Sequence, residues 1–180
     1  MAGRFIAVVG PSGVGKDSVM AGLCAARPDL VQLRRVITRP PNAGGEAHEA
    51  VSPALFAARA AGGDFALHWQ AHGLSYGIER TAHEVLARGQ DALANLSRAM
   101  LERAALVFGD LTVVHVTATP QALAARLAAR GRETQTEIAR RMARPAPAFP
   151  PGLRVIEIDN SGPLYHAVDT ALAALYPPSA

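Results

Sequence analysis

Short apolar runs alternate along this chain with longer stretches of helical spacing. Phe5 to Val9, "FIAVV", is continuous, apolar and partly β-branched, which predicts a buried strand. A glycine-rich octet follows, and Lys16 to Ala26 then reads as a helix closed by Arg27-Pro28. Further strands are predicted at Leu33–Thr38, Phe65–Gln70, Asp91–Asn95 and Leu111–Val116, and in "LRVIEID" near the end. The segment "AHGLSYG" after Gln70 reads as a turn. Ser52-Pro53 and Thr119-Pro120 each pair a capping hydroxyl with proline at the first helical position, and so start helices that run to about Ala61 and Arg130. Other helices are expected at 79–87, from Ser97, at 133–142 and at 161–175, with a proline-rich connector at 144–152. Strands alternating with helices predict an α/β fold, a central parallel sheet flanked by helices. The stretch from Pro40 to Tyr76 breaks that rhythm and reads as a small inserted subdomain.

Composition narrows the class. The 180 residues fit one domain, and 49% hydrophobic with 18% charged residues is ordinary for a globular chain. No apolar run reaches the ~18 to 20 residues of a membrane span. The chain enters its first strand almost at once, leaving no signal peptide, and the single cysteine, Cys24, forms no internal disulfide. A cytoplasmic protein with no membrane partner is expected. A net charge of +3 and a pI near 9.6 invite nucleic acid, yet the basic residues are dispersed and aromatics make up only 5%. No nucleic-acid partner is expected. Monomer and homodimer are both compatible with the sequence.

One feature of the charge is specific. Lys16 is the only lysine among 18 basic residues, and it stands inside "GPSGVGKD". Gly10, Pro11, Ser12, Gly13, Val14, Gly15 and Lys16 match the phosphate-binding pattern G-x-x-x-x-G-K, between a predicted strand and a predicted helix as that pattern requires. Glycines let backbone N–H groups wrap phosphate oxygens, and the ammonium follows the transferred group. ATP is the default ligand, with Mg2+. The eighth position departs from the pattern, because Asp17 replaces the hydroxyl that ligates magnesium. A carboxylate is itself a hard oxygen ligand, so Asp17 is the candidate metal ligand, the alternative being simple complementarity to the helix N-terminus.

Arginines cluster later in the chain. Arg126 and Arg130 share a helical face, with Arg132, Arg140, Arg141 and Arg144 beyond. Beside a phosphate loop these suit a lid that neutralises charge during phosphoryl transfer. With "VITRPPNAGGE", "SYG" and "ARLAARGRETQTEIARRMA" in this order, the chain resembles the guanylate kinase family of P-loop kinases over nearly its whole length. The resemblance implies a core sheet carrying ATP, an acceptor-binding insertion at about 39–78 and a lid at about 126–144. It also implies that Arg39 and Tyr76, with Glu46 of the same motif, bind the acceptor, and that Lys16, Arg126, Arg130 and Arg141 act on the transferred group.

The chain also departs from that family. Asn42 replaces a second phosphate-binding arginine, His68 stands where a glutamate reads guanine, Ile78 replaces a hydroxyl, and Asn95-Leu96-Ser97 replaces an acidic strand end. Losing base-reading groups disfavours guanine by orders of magnitude. Together with "GKD", "HGLSYG" and "ARGRE", these departures resemble the ribose 1,5-bisphosphate phosphokinases of phosphonate catabolism. That likeness implies transfer from ATP to a sugar bisphosphate, giving 5-phosphoribosyl 1-diphosphate, with Asn95, Ser97 and Arg98 as candidate contacts to sugar hydroxyls or the second phosphate. The alternatives are a guanylate kinase and a non-catalytic binding module of the same fold. His68 and Trp69 either line the acceptor pocket or simply pack, and Asp159-Asn160 either approaches the adenine or forms a loop-starting turn.

Overall fold

A computed structural model describes residues 2–41, 47–129 and 148–178. Its first strand, β1 (Phe5–Val9), is fully buried along all five residues. Side chains alternate across it, so its two faces feed two cores. Ile6 and Val8 meet Val114, Val116, Ile158 and the apolar side of the helices α1 (Lys16–Ala26) and α6 (Leu164–Leu175). Phe5, Ala7 and Val9 face the opposite way, toward Ala82 and Leu86 of α3 (Thr81–Ala87) and Leu101 and Ala104 of α4 (Leu101–Phe108).

The main sheet is parallel and five-stranded, in the order β2 (Val31–Gln32), β7 (Ala92–Asn95), β1, β8 (Leu111–Thr117), β9 (Arg154–Asp159). Burial on both faces explains why β1 and β8 read as nearly unbroken apolar runs. A second sheet of four strands runs β4 (Glu49–Ala50), β3 (Val36–Ile37), β6 (Leu74–Glu79), β5 (Phe65–Ala71). It carries α2 (Pro53–Ala61) on one face, through Phe56 against Val36 and Phe65. From its other face Leu67, Trp69 and Ile78 enter the core that contains Phe5 and Val9. Ligand-bearing loops therefore open at the C-terminal ends of β1, β7, β8 and β9, with the second sheet alongside.

The helix starts expected at the Ser-Pro and Thr-Pro pairs are present. Ser52 Oγ accepts from Leu55 N–H at 3.2 Å, and Thr119 Oγ1 from Ala122 N–H at 3.3 Å at the head of α5 (Pro120–Ala129). Three expectations need correction. The strand expected over 33–38 is only Val36–Ile37, β3 beside β6 in the second sheet, while β2 beside β7 in the main sheet lies just before it; the apolar pattern cannot say which sheet a residue joins. The turn read into "AHGLSYG" is only His72-Gly73, both at positive φ (52° and 74°), and β6 begins at once. Its strand signal was masked by Gly77, where a Cβ would lie 2.6 Å from the Phe65 ring. The helix expected from Ser97 opens with a 3-10 turn, Arg98–Met100, before α4. Among the described residues no helix is long and apolar enough to cross a membrane.

Candidate active site

The loop at 10–15 leaves the buried end of β1 and enters α1 through Gly15, whose φ of 93° is left-handed. A side chain at Gly15 would also meet Asn160 Nδ2 at 2.6 Å, and one at Gly10 would meet the Val116 carbonyl at 2.3 Å. Both positions therefore demand glycine twice over, for conformation and for space. Lys16 folds back over the loop, donating from Nζ to the carbonyls of Gly10 (2.9 Å) and Pro11 (3.1 Å). Phosphate oxygens are charged acceptors and displace neutral carbonyls from an ammonium.

Behind the loop, the Val14 carbonyl accepts from Asn160 Nδ2 at 2.8 Å and from Arg126 Nη1 at 3.2 Å. Arg126 Nη2 donates to the Asn160 carbonyl at 2.6 Å. Asn160, only 4% exposed, thus ties the end of β9 to the phosphate loop and to α5. Asp159 Oδ1 accepts from the N–H and hydroxyl of Ser161, and these bonds hold its carboxyl below the usual carboxylate range. Of the two readings of Asp159-Asn160, the described geometry is that of a turn, with Asn160 serving the loop. Asp17 lies in the first turn of α1, and its Oδ1 is buried without a hydrogen-bond partner. An unpartnered buried carboxylate oxygen is costly unless something cationic meets it, so the donor fits a divalent ion.

On the acceptor side, Arg39 follows β3. Its Nη2 donates to His48 Nδ1 at 3.2 Å, while His48 Nε2 lies 3.2 Å from the Arg39 carbonyl. A guanidinium has no acceptor, so Nδ1 accepts from Arg39 and Nε2–H donates to its carbonyl. Arg39 Nε is buried and has no partner. Tyr76 stacks on Trp69 across β5 and β6, with centroids 5.4 Å apart and planes 10° off parallel. The Arg35 guanidinium lies 5.0 Å from the Tyr76 ring centroid. His68 points the other way, toward Phe56 (6.4 Å) and Phe65 (6.1 Å) under α2, and packs there. Asn95 ends β7 in register with Val8, and Ser97 caps the 3-10 turn that carries Arg98. Arg98 Nη2 lies 2.7 Å from His115 Nε2. Glu46, Arg130 and Arg141 lie outside the described residues. The sequence reading missed Arg35, His48 and His115: each belongs to no motif and gains meaning only from its neighbour in space.

No protein-family model matches the chain. Ribose 1,5-bisphosphate phosphokinase PhnN of Ruegeria sp. (strain TM1040) is 54% identical over 174 residues, covering 96% of this chain and 92% of the relative. The protein of that name from Pseudomonas fluorescens (strain SBW25) is 46% identical over 185 residues, covering 97% and 96%. This chain belongs to the ribose 1,5-bisphosphate phosphokinase family. Guanylate kinase from Anaplasma phagocytophilum superposes with a TM-score of 0.71 at 16% identity, over 97% of this chain and 85% of that one. At that identity the likeness speaks for the fold, an α/β P-loop kinase fold. Membership makes the chain a kinase, and so an enzyme that uses ATP and a small sugar phosphate. The glycine-rich loop at 10–15 is backed by Asn160 and Arg126.

Proposed function

We propose that this chain transfers the γ-phosphoryl group of ATP to the 1-phosphate of ribose 1,5-bisphosphate, releasing ADP and 5-phosphoribosyl 1-diphosphate, in phosphonate breakdown in the cytoplasm. An oxygen of the acceptor phosphate forms the new bond to the γ-phosphorus. The bond to the β-phosphate oxygen breaks, and its electron pair leaves with ADP. The nucleophile is already anionic at neutral pH, so no general base is required. The protein's task is to hold two anions together. The loop N–H groups and Lys16 cradle the β- and γ-phosphates, and Arg126 exchanges its two carbonyl partners for phosphate oxygens. With Arg130 and Arg141 it forms the lid. Magnesium, held by Asp17, would neutralise charge on the triphosphate.

The acceptor side is read in the same way. Arg39, with Tyr76 and Glu46, takes one phosphate of the acceptor, while Arg98, with Asn95 and Ser97, takes the other phosphate and the sugar hydroxyls. The observation that carries this reading is the placement of these two arginines, Arg39 after a strand of the second sheet and Arg98 after a strand of the main sheet, which suits an acceptor with a phosphate at each end. His68 turned under α2 argues against base recognition at that position. The test is coupled ADP release with ribose 1,5-bisphosphate, with GMP and without acceptor, the product being identified by phosphorus NMR. Turnover on the bisphosphate with a new diphosphate signal is expected. Faster turnover on GMP would overturn the reading.

A further inference from the structure

A line of polar side chains runs across the C-terminal ends of the parallel strands. Glu157 on β9 faces His115 on β8, with Oε2 3.2 Å from Nδ1, and His115 Nε2 lies 2.7 Å from Nη2 of Arg98. A guanidinium can only donate, so Nε2 accepts and the ring proton sits on Nδ1, aimed at Glu157. The strand order places β1 between β7 and β8, and His115 is in register with Val9, the last residue before the phosphate loop. Arg98 therefore reaches across the end of β1 at the threshold of the loop. The Phe149 ring covers the pair, with its centroid 4.3 Å from Arg98 Cζ and 5.1 Å from the His115 ring, to which it is edge-on.

We propose that His115 is a positioning residue for the acceptor: its neutral imidazole, oriented by Glu157, holds Arg98 across the end of β1 to meet an acceptor phosphate, and protonation of His115 releases that arginine. The inference rests on the reading of Arg98 as a phosphate-binding residue. A neutral nitrogen suits the task because it fixes the direction of the guanidinium while leaving its positive charge for the substrate. The groups facing the ring are Arg98 from the 3-10 turn and Glu157 from β9, with Phe149 as the apolar cover and Val9 from β1 beside it. Burial first, and then the Arg98 charge, push the His115 pKa below its ordinary 6.5, with Glu157 opposing in part. The ring is thus neutral at pH 7. Below the depressed value Nε2 gains a proton, turns from acceptor to donor, and repels Arg98.

The experiment measures acceptor KM, ATP KM and kcat from pH 5.5 to 8 for the wild type, His115→Gln, His115→Leu and Arg98→Ala. Loss of a hydrogen bond to a charged group predicts that His115→Leu raises acceptor KM about tenfold at every pH, with ATP KM unmoved. The amide oxygen of His115→Gln restores an acceptor that does not titrate, so acceptor KM recovers toward the wild type at pH 7.5. The part of the acid rise in acceptor KM that belongs to His115 then disappears. Nitrogen NMR of the wild-type imidazole supplies a readout independent of turnover, and the Nδ1–H tautomer is expected. An Nε2–H tautomer, or an unchanged acid rise in His115→Gln, would overturn the inference even if His115→Leu fails to fold. If Arg98→Ala leaves acceptor KM unchanged, the reading of Arg98 itself fails. If Arg98→Ala raises it and His115→Gln keeps the wild-type profile, that reading stands and only the positioning role is lost.

Discussion

The phosphate loop and the proposed acceptor side are built in different ways. In the loop, eight consecutive residues from Gly10 to Asp17 supply the backbone donors, the ammonium and the carboxylate, and glycine is enforced by close neighbours at Gly10 and Gly15. On the acceptor side the candidate groups are side chains far apart in sequence, each aimed by another side chain: Arg39 by His48, Arg98 by His115, and Tyr76 by Trp69. A site made of consecutive backbone groups takes its geometry largely from its own residues, with Asn160 and Arg126 bracing it from behind. A site made of side chains propped by side chains depends on both sheets that carry them and on the packing around each prop.

This contrast can be broken at the loop first. Lys16→Ala removes the mobile charge and is expected to lower kcat by about 10²–10³ or more, as removal of one charge-stabilising donor does. Its melting temperature should stay near the wild-type value, since the two carbonyls that accept from the ammonium belong to the loop itself. Steady-state kinetics and thermal melts check both halves of this. Asp17→Ala comes next. Because Oδ1 has no hydrogen-bond partner, its loss should cost the fold little, yet it should raise the magnesium concentration for half-maximal rate about tenfold. An unchanged magnesium dependence would leave Asp17 only its favourable place at the helix N-terminus.

The second sheet is tested through Arg59 on α2. It donates to Glu49 on β4 (2.8 Å), to Asp64 (3.2 Å) and to Glu79 on β6, so one cation ties α2 to two strands of the sheet. Arg59→Ala leaves three carboxylates without their shared counter-charge and should destabilise this region by about 1–2 kcal/mol, the upper range for a partly exposed network. Faster hydrogen exchange of β5 and β6 amides, with acceptor KM raised a few-fold and ATP KM unchanged, is expected. Equal losses for both substrates would contradict the division drawn between the two regions.

The smallest effect is expected at the far end of the main sheet, as a control. Burial alone would raise the Asp91 pKa, but bonds from the Arg4 side chain, the Arg4 N–H and the Tyr176 hydroxyl outweigh it and bring the value below the ordinary 3.8. Burial first, and then the hydrogen bond to Asp91, push the Tyr176 hydroxyl up to about 12. A depressed carboxyl pKa contributes stability that is present above the unfolded value and is lost as pH falls through the folded one. Asp91→Asn should therefore be less stable at neutral pH and show a flatter melting curve between about pH 5 and 2, with kinetic constants unaffected.

How far the sequence could be read depended on how local the determining physics was. β1, α1 and α2 have the predicted bounds, because burial period, capping hydroxyl and N1 proline all act within a few residues. The assignment of β2 and β3 to two different sheets was not legible, since Val31, Val36 and Ile37 are apolar whichever sheet they join. His68 shows the same limit: its strand was predicted, but alternation says only that it opposes Trp69, not that Trp69 faces the core and His68 faces α2.

The sequence by itself determined the phosphate loop, its lone lysine, the carboxylate at its eighth position and the α/β kinase fold, because all are encoded by short spacing or by the order of elements. Only the tertiary structure decided that Asn160 and Arg126 brace the loop from behind, that Asp17 presents an unpartnered oxygen, and that two histidines aim two arginines. The reason is physical. Position along the chain sets backbone geometry, whereas the direction and charge of a side chain are set by whatever packs against it, and His115 meets Arg98 and Glu157 only after three strands have aligned.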